Sequence, residues 1–230
     1  MRMPMISRFT SLALAAAVVA VAGTAQAQVI MPSGNFNGSL PAGSFGGTGN
    51  PTSPVVTSTS NSITLGLAVQ QRYTSPAPAY DGAGTWSANP GESTGGPSNT
   101  GFSQWNFDYY VSPAAANSGN IFTLYVDGNP NVGNTLQDAN AYVLGGSPGL
   151  PYFDSSNLGY HAWAGAFDPN ANGQYSFALY ERTANGADVQ HVSMLVDVGA
   201  VTTPEPSSLA RLGSGFVGLA GFVKRRGKLV

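Results

Sequence analysis

The feature that most limits what this chain can fold into is a hydrophobic period of two, repeated in short runs that turn residues interrupt. Ile63, Leu65, Leu67 and Val69 alternate with Thr64, Gly66, Ala68 and Gln70. Trp105, Phe107 and Tyr109 share one face of a second run, and Phe122, Leu124 and Val126 one face of a third, which ends at the turn pair Asp127-Gly128. Successive side chains of an extended chain point to opposite sides, so each run reads as a strand with one buried face. Residues 141–144 and 160–167 are shorter candidates of the same kind. The clearest pair is Tyr175, Phe177 and Leu179, the turn Ala184-Asn185-Gly186, and then Val192, Met194, Val196 and Val198. The 30 Gly and 16 Pro among 230 residues supply the punctuation, and no body segment carries a capped helical period.

These strands predict an all-β fold, an antiparallel β-sandwich. The stretch Asp168-Pro-Asn-Ala-Asn-Gly-Gln-Tyr175-Ser-Phe177 resembles the turn entering the penultimate strand of an immunoglobulin-like sandwich. There a Tyr precedes a core position by two residues, and Phe177 stands where antibody domains have Cys. The chain divides into a helical signal peptide (1–27), a Gly/Ser/Pro-rich flexible lead-in (28–54), the sandwich body (55–202) and a C-terminal segment with a short hydrophobic helix (203–230).

Charge and cysteine usage exclude several function classes. Between residues 28 and 203 the only cations are Arg72 and Arg182 against ten acids, a net charge of −8. Nucleic-acid binding needs a cationic face, so it is not expected. With no Cys, there are no disulfides, thiolate metal sites or Cys nucleophiles.

The two ends read as addresses. Arg2 and Arg8 precede the 11-residue apolar run Leu12 to Ala22, and Ala25 and Ala27 are the small residues a signal peptidase inspects. Cleavage is expected after Ala27, leaving Gln28 as the new terminus, with Sec-type export as the route. At the other end Pro204, Glu205 and Pro206 precede an apolar, Gly-rich stretch from Leu209 to Val223 and then the basic residues Lys224, Arg225, Arg226 and Lys228. Cations after an apolar run resist translocation, a stop-transfer arrangement. In this order the three elements resemble the PEP-CTERM sorting signal of Gram-negative bacteria. The resemblance implies a transient inner-membrane stay through the C-terminal helix, processing by the membrane protease exosortase, and association with exopolysaccharide. Thr203 and Arg211 depart from the usual pattern, and Arg211 interrupts the apolar run.

Candidate chemical sites are few. Gly145-Gly146-Ser147-Pro148-Gly149 matches the spacing of a nucleophile elbow, but Pro148 lacks the N–H that an oxyanion hole needs there. The two histidines, His161 and His191, read as packing or surface residues. Asp168, Asn170 and Asn172 have the oxygen spacing that opens a calcium loop, and Asp127, Asn129 and Asn131 repeat it. Neither run has the bidentate Glu that completes such a loop, so turn chemistry is the main reading and calcium the alternative. Phe102, Trp105, Tyr109, Tyr110, Tyr152, Tyr160 and Trp163 are either core or a sugar-stacking surface. The expected role is a non-catalytic cell-envelope or extracellular-matrix protein, with carbohydrate binding as the alternative and hydrolysis third.

Overall fold

The computed structural model describes residues 28–41, 44–45, 54–96, 100–130, 133–145, 151–160 and 167–199. Eleven strands order this part of the chain: β1 (Asn35–Gly38), β2 (Val55–Ser60), β3 (Ile63–Gln71), β4 (Ala79–Tyr80), β5 (Thr85–Ala88), β6 (Trp105–Val111), β7 (Ile121–Asp127), β8 (Asn140–Leu144), β9 (Phe153–Ser156), β10 (Gly173–Arg182) and β11 (Asp188–Val198). The one helical element among the described residues is a 3-10 turn, Pro113–Asn117. One sheet has the order β1-β2-β3-β6-β9, the other β4-β5-β11-β10-β7-β8.

The alternating runs are strands, as expected. Their inward residues meet in one core to which both sheets contribute: Leu65, Leu67, Val69, Phe107 and Tyr109 from one, Phe122, Leu124, Phe177, Leu179, Met194 and Val196 from the other. Phe107 and Phe177 stack across the layers with centroids 4.8 Å apart, and Trp105 meets Tyr175 and Phe177 edge-on. Each fully buried side chain of this size contributes roughly 1.5–3 kcal/mol. Asn61 and Ser62 both have positive φ (48° and 67°) in the two-residue link between β2 and β3, matching the right-handed twist of the hairpin.

Two expectations need correction. The fold is not purely antiparallel: β5 runs parallel to β11, pairing Leu195 with Thr85 and Val198 with Ala88. The lead-in is not a loose tether over its described part. Ile30 is buried against Ala178 and Tyr180 on the outer face of the β11-β10-β7 sheet, and β1 pairs with β2 in the other sheet. The chain crosses between the sheets at Gly34, where a Cβ would lie 2.8 Å from the Thr57 carbonyl oxygen, so only glycine fits that passage. The folded unit therefore takes in residues well before position 55. Of the proposed 160–167 strand only Tyr160 and Phe167 are described; residues 161–166 lie outside the described residues. Leu40 and Phe45 lie with Val55, Ala68 and Tyr110 on the outer face of β3 and β6, where they cover Gly66 and Ala68. Residues 1–27 and 203–230, the expected signal peptide and sorting segment, lie outside the described residues, among which no helix is long and apolar enough to cross a membrane.

Candidate functional site

One end of the two-layer body, where β3, β5, β7 and β9 finish and β6 and β10 begin, gathers most of the polar and aromatic loop residues. Asn157 organises it. Its side chain is wholly buried; Nδ2 donates to the carbonyl oxygens of Ser103 (3.1 Å) and Trp105 (2.7 Å) and to Asn106 Oδ1 (2.9 Å). Its Oδ1 accepts from the N–H groups of Ser103 (3.1 Å) and Gly159 (3.0 Å). One amide thus ties the start of β6 to the loop leaving β9, and Tyr160 N–H closes that loop onto the Asn157 carbonyl. Gly159 packs directly on Gly101, whose carbonyl oxygen would lie 2.3 Å from any added Cβ.

Arg72, at the end of β3, is buried, and its Nε donates to Ser93 Oγ (3.3 Å). Its guanidinium lies 4.8 Å from the ring centroid of Tyr73 and 4.6 Å from that of Phe102. Phe102 in turn meets Tyr160 edge to face at 4.9 Å. Tyr73, Arg72, Phe102 and Tyr160 are thus one continuous series of flat groups, with Tyr73 (41%) and Tyr160 (48%) exposed. Tyr73 has φ 51°, a left-handed conformation that costs a non-glycine residue on the order of 1–2 kcal/mol. Neighbours hold it there. Ser75 N–H bonds the Arg72 carbonyl, Thr74 Oγ1 bonds the Thr94 carbonyl, and Thr94 N–H bonds Ser75 Oγ. Gly96 lies so close to the Tyr73 ring that a Cβ would be 2.0 Å from it. On the same rim Glu92 accepts from Gly101 N–H (2.8 Å), and Gln104 Oε1 is buried without a partner.

The aromatic list from the sequence divides accordingly. Trp105 and Tyr109 are core, Tyr110 is buried against Phe45, and Tyr152 packs edge-on against Phe122. Only Phe102 and Tyr160 of the described members join the loop-end series; Trp163 lies outside the described residues. Arg72, Tyr73, Glu92 and Asn157 were not singled out as site residues by sequence. The signal present there was Arg72 itself, one of two cations in an otherwise cation-free body, placed where the alternation of β3 stops.

The two turn motifs lie side by side at this end, since a Cβ on Gly173 would strike Pro130. Asp168 Oδ1 accepts from the N–H of Asn170 (2.9 Å) and its Nδ2 (3.3 Å); Asp127 Oδ1 accepts from Asn129 N–H (3.1 Å). Each Asp caps its own turn. Asn172 approaches Gly199. Asn131 lies outside the described residues, and among those described no three His, Cys, Asp or Glu side chains converge as a metal-binding group.

Two carboxyls are displaced upward. Burial pushes Asp108 to about 8, aided by the charge of Asp154 and opposed by hydrogen bonds from Ser155 and Gln70. Burial pushes Asp127 to about 6, with the charge of Asp138 adding and the Asn129 N–H opposing. A raised carboxyl is the chemistry of a general acid, but Asp108 has no exposed surface, which bars substrate from it. At the opposite end Glu181 is also fully buried, accepting from Asn120 Nδ2 and Gln190 Nε2 (both 2.6 Å), and Gln190 Nε2 continues to the Ile63 carbonyl (3.1 Å). That network joins the two sheets and is structural in its connections.

His191 stacks on Tyr180 at 4.9 Å, away from the loop end. Gln28 donates to Tyr180 Oη (3.2 Å), and its carbonyl accepts from Leu136 N–H. Ala25, Ala27, His161, Ser147, Pro204, Glu205, Pro206, Lys224, Arg225, Arg226 and Lys228 lie outside the described residues. No protein-family model, curated protein or solved structure matches the chain.

Proposed function

We propose that this chain is an exported, non-catalytic protein of the cell envelope or extracellular matrix, sorted by an exosortase-type system. The observation that carries the reading is the ordered tail: Pro204-Glu205-Pro206, an apolar stretch, and the cluster Lys224, Arg225, Arg226 and Lys228, on a chain that opens with a secretory signal. A body with net charge −8 and no lysine supports it, because such a surface stays hydrated and is repelled by anionic surfaces. Its partners on this reading are the Sec machinery, the sorting protease and exopolysaccharide. Deletion in the native host tests it: biofilm or floc formation weakens while growth on soluble carbon is unchanged. Lost growth on one polysaccharide, restored by the purified protein's products, makes the chain a hydrolase instead.

We further read the body as immunoglobulin-like. The order β8-β7-β10-β11 fits strands C′-C-F-G, and β3-β6-β9 fits A-B-E. Phe107 and Phe177 then stack at the inter-sheet position where antibody domains carry a disulfide, and Tyr175 Oη reaches the Ala171 carbonyl (3.4 Å) as a tyrosine corner does. Strand D has no counterpart among the described residues, and β7 carries no Trp. A Tyr175→Phe variant with unchanged stability would count against the corner.

A further inference from the structure

The series Tyr73, Arg72, Phe102 and Tyr160 does more than fill space. Core aromatics in this protein are wholly enclosed, as Trp86, Trp105 and Phe177 are, whereas Tyr73 and Tyr160 keep 41% and 48% of their surface in solvent. Their backbones are nevertheless held. Tyr73 is fixed in a left-handed conformation by the bonds within residues 72–75 and from them to residues 93–94, and the Tyr160 loop is anchored by Asn157. Strain maintained by surrounding bonds at an exposed aromatic marks a preorganised contact surface. Arg72 is buried between two rings and bonded to Ser93, so it stiffens the series rather than offering an exposed cation. The rim is hydroxyl and amide with one carboxylate: Thr74, Thr94, Gln104 and Glu92, the last accepting from Gly101 N–H.

We propose that this loop end binds a neutral glucan, whose sugar rings present flat C–H faces to Tyr73 and Tyr160 and hydroxyls to the rim. The proposal rests on the matrix reading for its biological setting but stands on this geometry for its chemistry. An anionic polymer is disfavoured because the body carries −8 and its cation here is buried. Rings and a guanidinium would suit a protein partner as well, and free migration in every neutral polymer is the outcome that would favour one.

Native gel electrophoresis of the purified protein, in gels containing hydroxyethyl cellulose, laminarin or alginate, tests the idea. Retardation by at least one neutral polymer is expected, with none by alginate. Tyr160→Ala, at an exposed position, weakens it by about tenfold, the scale of one aromatic contact. Tyr160→Phe retains most of it, and Phe153→Ala, exposed on β9 away from the series, changes nothing. Thermal melts of each variant separate lost binding from lost folding. Free migration in both neutral polymers overturns the proposal, as does retardation by alginate alone, or equal loss in Tyr160→Ala and Phe153→Ala. A protein that binds glucan in the gel yet is absent from the matrix of its host defeats the location and leaves the binding intact.

Discussion

Replacing Asp108 by Asn should stabilise the protein at neutral pH and flatten its pH dependence. Asp108 lies on the outer face of β6 with no exposed surface; Oδ1 accepts from Gln70 Nε2 (3.0 Å), and the Ser155 hydroxyl is the carboxyl's other hydrogen-bonding neighbour. Burial raises its folded-state pKa to about 8 from an ordinary 3.8. The sign follows from linkage: the folded state prefers the protonated form. The stability this group contributes is fully present below the unfolded value and is lost as pH rises toward 8. Each pH step of one between the two values costs about 1.4 kcal/mol, so the interval from 3.8 to pH 7 removes up to about 4 kcal/mol relative to acid conditions. Against a total stability of roughly 5–15 kcal/mol, that is a large fraction. Asn keeps the Oδ1 acceptor for Gln70 and carries no ionisable proton. Urea unfolding at pH 4, 5.5 and 7, followed by tryptophan fluorescence, should find Asp108→Asn close to the parent at pH 4 and more stable at pH 7. Asp127, raised to about 6, should leave a residual loss between pH 4 and 6 in both proteins. Parent and variant stabilities running parallel across the whole range would refute the reasoning.

Phe177→Ala removes the ring that stacks on Phe107 between the sheets and should cost about 3–5 kcal/mol in urea unfolding. Asn157→Ala deletes a buried amide with five hydrogen bonds and strands their backbone partners. A loss of about 2–4 kcal/mol is expected, with faster amide exchange in residues 101–105 and 157–160. Glu205→Ala should leave the tail attached in a host that carries an exosortase, read as the intact mass of the protein; normal processing of the variant would refute the sorting assignment.

The long strands were legible because each buries one face over several residues. Ile63 to Val69 and Tyr175 to Leu179 repeat the period often enough to stand out, and the turns beside them carry Asn or Gly. Strands β1, β5 and β9 were not, since each has four residues and only one or two inward positions. The parallel pairing of β5 with β11 is a long-range choice that no local pattern encodes. Residues 28–33 looked loose because their anchors are single side chains and backbone bridges, such as Ile30 and the Ser33–Ser193 pair, rather than a periodic face. The loop-end series was hidden for a similar reason: Arg72, Phe102 and Asn157 meet only through tertiary folding, and an aromatic list cannot separate Tyr160 at the surface from Trp105 in the core.

The intact mass of the mature protein recovered from the matrix of its native host reads the proposed export and tail sorting together. A polypeptide beginning at Gln28 and lacking the apolar stretch and the basic residues beyond Val223 is expected. A full-length chain that retains residues 1–27 and fractionates with the cytoplasm would contradict it.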